Sequence, residues 1–261
     1  MAEQNIQRSD VSDWAVLGLR VTAFSQDPSS VRQEPGVWRQ IVGESPEQQN
    51  FKPKTGEFLE EGPFLLGMLN FTFQPGRLEW RFGPLAEENV ISPVPPLAGP
   101  VETVLAQFGD VIKKWIESSE VPIRRLAVGA HMLLPSSESD RETAYKKIAN
   151  YLPSVSLDPS SSCDFLYQIN RPRESHVVDK LRINRLSKWN VLAFTMLPMS
   201  LDLGVLIESS IIATAIHSPS VELDYNTAAD RVTAISKDNL VSLYDELVAQ
   251  ILETLAKGDI S

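Results

Sequence analysis

Apolar and polar positions alternate most cleanly over residues 64–82. Leu65, Leu69, Phe71 and Phe73 run with Leu66, Met68 and Thr72 up to Gln74-Pro75-Gly76-Arg77, and Leu78, Trp80 and Phe82 alternate with Glu79 and Arg81 on the return. Successive side chains of a strand face opposite sides of a sheet, so alternation broken by Pro-Gly predicts a half-buried hairpin. Residues 14–24 predict another strand, with Val16, Gly18, Arg20 and Thr22 on one face and Ala15, Leu17, Leu19 and Val21 on the other. Between these two, residues 25–61 are rich in Gln, Pro, Ser, Glu and Lys, and only the patch Val37-Trp38-Arg39-Gln40-Ile41-Val42 interrupts them. That stretch reads as a long irregular excursion, a functional loop or a mobile one.

The period then changes. Val101, Val104, Leu105, Phe108, Val111, Ile112, Trp115 and Ile116 recur at helical spacing and predict an amphipathic helix over 101–118, with Pro100 suited to its start. An apolar strand is expected over 123–134 and a shorter helix over 140–152. Further strands are expected over 163–170, 180–196, part of 205–216 and 220–225. The chain closes on a long stripe from Leu240 to Leu255, with Ser236 placed to accept a first-turn amide and Gly258 to end the helix.

Strands followed by long helices predict an α+β fold: an antiparallel sheet, or sheets, with amphipathic helices packed on one face. The order divides into two similar halves, 1–153 and 154–261, joined as two units or as one continuous domain. Residues 92–100 carry Pro93, Pro95, Pro96 and Pro100, a stiff connector.

Composition narrows the picture by exclusion. A chain of 261 residues with 43% hydrophobic content can bury a sizeable core. No apolar run reaches the roughly 18 residues of a membrane span, and residues 1–11 are too polar for a signal peptide, so a cytoplasmic protein away from membranes is expected. One cysteine, Cys163, leaves no intrachain disulfide and is expected as a small buried hydrophobe. A net charge of −10 argues against a surface built throughout for nucleic acid.

Candidate chemistry is sparse. His131, His176 and His217 have no second ligand at a metal-binding spacing, and no G-x-S-x-G, P-loop or G-x-G-x-x-G motif occurs. Glu222 and Asp224, two apart on an expected strand, face the same side and could contribute to a divalent-metal site. The local anomaly is 168–189, where Arg171, Arg173, Lys180, Arg182, Arg185 and Lys188 stand against Glu174 and Asp179 only. The tripeptide Ile-Asn-Arg occurs there twice, at 169–171 and 183–185, as on two neighbouring strands. Such a ribbon can contact phosphates and base edges, pair with an acidic protein, or simply balance the chain's own acid. Trp38, amid polar residues, is either an interface anchor or a plug folded back on the core.

The motif Val221-Glu222-Leu223-Asp224-Tyr225-Asn226 followed by the closing helix, together with Arg125-Leu126-Ala127-Val128-Gly129, resembles a sporadically distributed family of uncharacterised prokaryotic proteins of similar length. The resemblance implies an accessory protein of the kind found in toxin–antitoxin or phage-defence loci, and supplies no catalytic residues. The expectation is a non-enzymatic interaction subunit or inhibitor without a cofactor, binding another protein through sheet edges, the Arg-rich strands or Trp38, with oligomerisation open. The alternatives are a nucleic-acid-binding accessory protein using the six cations of 168–189 and an atypical metal-dependent enzyme using Glu222 and Asp224.

Overall fold

The computed structural model describes residues 10–27, 33–85, 94–135, 140–195 and 215–259. Ten strands form one antiparallel sheet: β1 (Ala15–Ser25), β2 (Gln48–Lys52), β3 (Glu57–Phe64), β4 (Gly67–Gln74), β5 (Arg77–Pro84), β6 (Ile123–Leu133), β7 (Leu166–Asn170), β8 (Arg173–Glu174), β9 (Arg182–Phe194) and β10 (Ile216–Thr227). Their order is β2-β3-β4-β5-β1-β6-β10-β9-β7, with β8 also on β9. The helices are α1 (Val37–Val42), α2 (Val101–Ser118), α3 (Arg141–Ala149) and α4 (Lys237–Lys257). Strand β6 pairs with β10, so hydrogen bonding runs without a break between the chain's two halves.

The predicted hairpin is β4–β5, turned by Pro75 and Gly76, whose φ of 82° suits glycine. Its first strand, however, begins at Gly67: Leu65 and Leu66, expected within it, form the exposed turn after β3. Helix α2 buries every residue of its predicted stripe. In α4, the Ser236 hydroxyl accepts from Asn239 N, and Gly258 ends the helix at φ 75°. A Cβ on Gly258 would stand 2.2 Å from the Tyr151 carbonyl oxygen. Gly109 of α2 lets Tyr244 of α4 come close, and the two stripes share one core cluster with Leu19, Val21, Trp80, Val128 and Tyr225 of the strands.

Residues 25–61 differ most from expectation. They contain α1, β2 and most of β3, and β2–β3 extend the sheet outward. All five residues of β2 are exposed, so no alternation marks it; in β3 the core-facing position between Phe58 and Gly62 is the carboxylate Glu60. That carboxylate accepts from Gly36 N, Trp38 N at 2.8 Å and Gln49 Nε2 at 2.7 Å. Burial of the charged group is thereby offset by three donors, two of them amides at the start of α1. The same contacts turn Trp38 inward, over Gly62 and 6.3 Å from the Trp80 ring. At 1% exposure, Trp38 is a plug and offers no anchor to a partner.

Two smaller expectations are also corrected. Val16 lies in the core and not beside Gly18 and Arg20, because a bulge at Leu17 separates the pairs Val16↔Met132 and Gly18↔His131. Cys163 is exposed, since β7 begins only at Leu166. The strand expected over 205–216 falls almost wholly outside the described residues.

Replacing Trp38 by Ala is expected to cost about 3–5 kcal/mol in urea unfolding, as for other buried aromatics. A change within about 0.5 kcal/mol, the usual effect at an exposed position, would show that Trp38 is no plug.

Candidate functional site: a polar cleft on the sheet

The strand positions that alternate with the core carry almost all of the chemistry. Register aligns them in rows across the sheet. One row runs Asn70, Arg81, Arg20, Gly129, Asp224 and Leu186. The next joins Gly18, His131, Glu222, Lys188 and Gln168. A third holds Thr72, Glu79, Thr22, Ala127, Asn226 and Asn184. The first two rows line an open cleft of about 770 Å³, within the usual range of ligand sites.

Charges in the cleft come in opposed pairs. Arg20 Nη2 donates to Asp224 Oδ2 at 2.8 Å across β6, and Lys188 Nζ to Glu222 Oε1 at 2.7 Å. The first pair depends on Gly129: a Cβ there would lie 3.2 Å from Arg20 Nε, so glycine lets the guanidinium lie across the strand between. Glu79 accepts from Thr22 Oγ1 at 2.7 Å and pairs with both Arg77 and Arg81. Burial alone would raise the Glu79 carboxyl, but Thr22 and the two guanidiniums hold it below the usual carboxylate range. His131 Nε2 lies 3.0 Å from Ser220 Oγ, a hydroxyl buried from solvent.

The basic segment 168–189 does not form one surface. The two Ile-Asn-Arg tripeptides do sit on neighbouring strands, where Asn170 Oδ1 accepts from Arg185 N at 2.9 Å. Their arginines, however, turn to the end of α4. Arg171 donates from Nε and Nη2 to the two oxygens of Asp259, each at 2.9 Å, and Arg173 pairs with Glu253 at 2.7 Å. Arg185 is 2% exposed, donates to Thr254 Oγ1 at 3.2 Å and lies 5.4 Å from the Tyr225 ring centroid. Lys188 belongs to the cleft, and Lys180 and Arg182 are exposed near the turn before β9. Hydrogen bonds from Arg171 hold the Asp259 carboxyl below its usual range; Glu253 is lowered too, with Arg173 and Lys257 outweighing its burial.

Glu222 and Asp224 share a face as expected, but each carboxylate is engaged by a cation. Among the described residues no group of three His, Cys, Asp or Glu side chains is placed to hold a metal ion. Arg20, Arg81, Asn70 and His131 were not singled out by sequence reasoning as members of a site. The available signal was a polar residue inside each otherwise apolar strand, on the side away from the core. What brings them together is pairing between strands up to about 200 residues apart in the chain.

No protein-family model and no curated protein matches the chain. No helix among the described residues is long and apolar enough to cross a membrane.

His131 gives this face a pH signature. Burial pushes its imidazolium down from the ordinary 6.5, Lys188 adds to the effect, and Glu222 opposes both. The unfolded chain therefore takes up the proton first. The stability held by the neutral ring is complete above the unfolded value and declines as pH falls below about 6.5 towards the folded one. Urea midpoints of the wild type should fall between about pH 7 and pH 5, and His131→Gln should flatten that fall. Parallel profiles for the two proteins would remove His131 as its source.

Proposed function

We propose that the chain is a non-enzymatic subunit that binds another protein across the polar face of its sheet. With α2 and α4 taken as covering the apolar face, the alternate positions of β1, β4, β5, β6, β9 and β10 are left as the contact surface. The observation that carries this reading is the alignment of both charge signs in register, Arg20 with Asp224 and Lys188 with Glu222, along an open cleft. Partly exposed charges of both signs can exchange their present pairing for a partner's charges, and complementarity across an interface fixes register and selects among partners. Neither the edge strands nor Trp38 is needed.

The nucleic-acid reading loses its main support. A polyanion needs cations free to neutralise phosphates; of the six in 168–189, Arg171, Arg173 and Lys188 are each paired with a carboxylate and Arg185 is buried, which leaves Lys180 and Arg182 exposed. The metal-enzyme reading has only the two paired carboxylates.

The test is differential capture from the native host with nuclease present. Asn70→Arg and Leu186→Arg point outward from the two sides of the cleft and should leave folding intact. A stoichiometric protein partner held by the wild type and lost by the double variant is the expected result. Equal capture by both would overturn the reading, and recovery of nucleic acid in a nuclease-free control, released by modest salt, would replace it with the alternative.

A further inference from the structure

The Arg20–Arg81 corner of the cleft has features that the ion pairs alone do not require. The two arginines are direct cross-strand partners on the same face. Like charges so placed oppose one another and lower sheet stability. Each has one carboxylate, Asp224 for Arg20 and Glu79 for Arg81, yet Arg81 remains 54% exposed and projects into the open space. Arg20 Nε is buried without an acceptor.

Beside them the backbone is bare. Gly18 of β1 and Gly83 of β5 both line the cleft; a Cβ on Gly83 would meet nothing within 4 Å, and one on Gly18 only the Phe82 carbonyl oxygen at 3.6 Å. Neither glycine shows a positive φ, and neither is crowded, so packing and backbone conformation do not demand them. Glycine inside a strand weakens it and commonly marks a close approach by a ligand or another backbone. The bulge at Leu17 reinforces this, because bulges re-aim side chains next to binding sites. His131, the partner of Gly18, closes the other side.

We infer that this corner is a carboxylate subsite, which takes one acidic side chain of an extended polypeptide segment lying over Gly18 and Gly83, between Arg20 and Arg81. A single negative charge fits better than a phosphate dianion. Around the cleft Arg20, Arg77, Arg81 and Lys188 stand against Glu79, Glu222 and Asp224, four cations to three carboxylates, a surplus of one positive charge. A guanidinium also offers a carboxylate two parallel donors. The inference rests on the polar face being the contact surface and adds the chemistry of what is held there.

The experiment is an NMR titration of the full ¹⁵N-labelled chain with the capped peptides acetyl-Gly-Asp-Gly-amide and acetyl-Gly-Asn-Gly-amide, and with inorganic phosphate. The Asp peptide should shift the Gly18 and Gly83 amides and the Arg20 and Arg81 Nε–H signals saturably. Affinity should fall about tenfold or more in Arg81→Gln, as expected on losing a charge-assisted pair, and the Asn peptide should give no saturable shift. Arg81 is half exposed, so this variant keeps the fold, which its amide spectrum checks directly. Equal response to the Asn peptide, insensitivity to Arg81→Gln, or no saturation would overturn the subsite, and stronger binding of phosphate would overturn its carboxylate character. Failure here is separable from failure of the wider reading: a host partner lost on Asn70→Arg with Leu186→Arg but retained on Arg81→Gln would keep the contact face and remove the subsite.

Discussion

The structure depends on the register of the central strands. β1 is hydrogen-bonded to β5 on one side and β6 on the other, and β6 hands the same register to β10 and β9. Side chains alternate with a period of two, so a slip of one residue in any of these pairs would exchange a strand's apolar and polar sets. Leu19, Val21, Trp80, Phe82, Val128, Ala130, Val221 and Leu223 can enter one core only if Arg20, Arg81, Gly129, Glu222 and Asp224 face the other way. Burial of the first set thus places the second. The cleft is held in position by the hydrophobic core behind it.

Charges fall into two groups with different tasks. At the end of α4, Asp259 and Glu253 take Arg171 and Arg173, with Arg185 beside them against Tyr225 and Thr254, so that β7, β8 and β9 are clamped to the last helix. Tyr167 joins this clamp by donating to Asp259 at 2.8 Å. The buried member of the Arg171 pair is the Asp259 carboxylate, and a buried charge left without partners is costly, which accounts for Arg171 and Tyr167 both donating to it. In the cleft the pairs are half exposed and solvated, and such pairs add little stability. Their value lies in the pattern they present.

The elements with strong periodicity were legible before the fold was known. The stripes of α2 and α4, the Pro75-Gly76 turn and the Ser236 cap follow from local rules that act within a few residues. The elements that were not legible owe their form to partners far away in sequence. β2 is a strand because Phe51 and its neighbours meet β3, and Trp38 is buried because Glu60 captures the amides of its helix. The bulge at Leu17 is likewise visible only as a mismatch with β6.

The same division separates what each level decided about function. The sequence by itself determined an α+β chain with an antiparallel sheet, a basic segment at 168–189 and a shared face for Glu222 and Asp224, because composition, period and two-residue spacing are local properties. Tertiary structure alone decided that Arg171, Arg173 and Arg185 serve the α4 clamp, and that Arg20, Arg81, His131, Lys188, Glu222 and Asp224 converge on one cleft. The physical reason is that a side chain's availability depends on which strand lies beside it, and strand order is set by long-range pairing that no local pattern records.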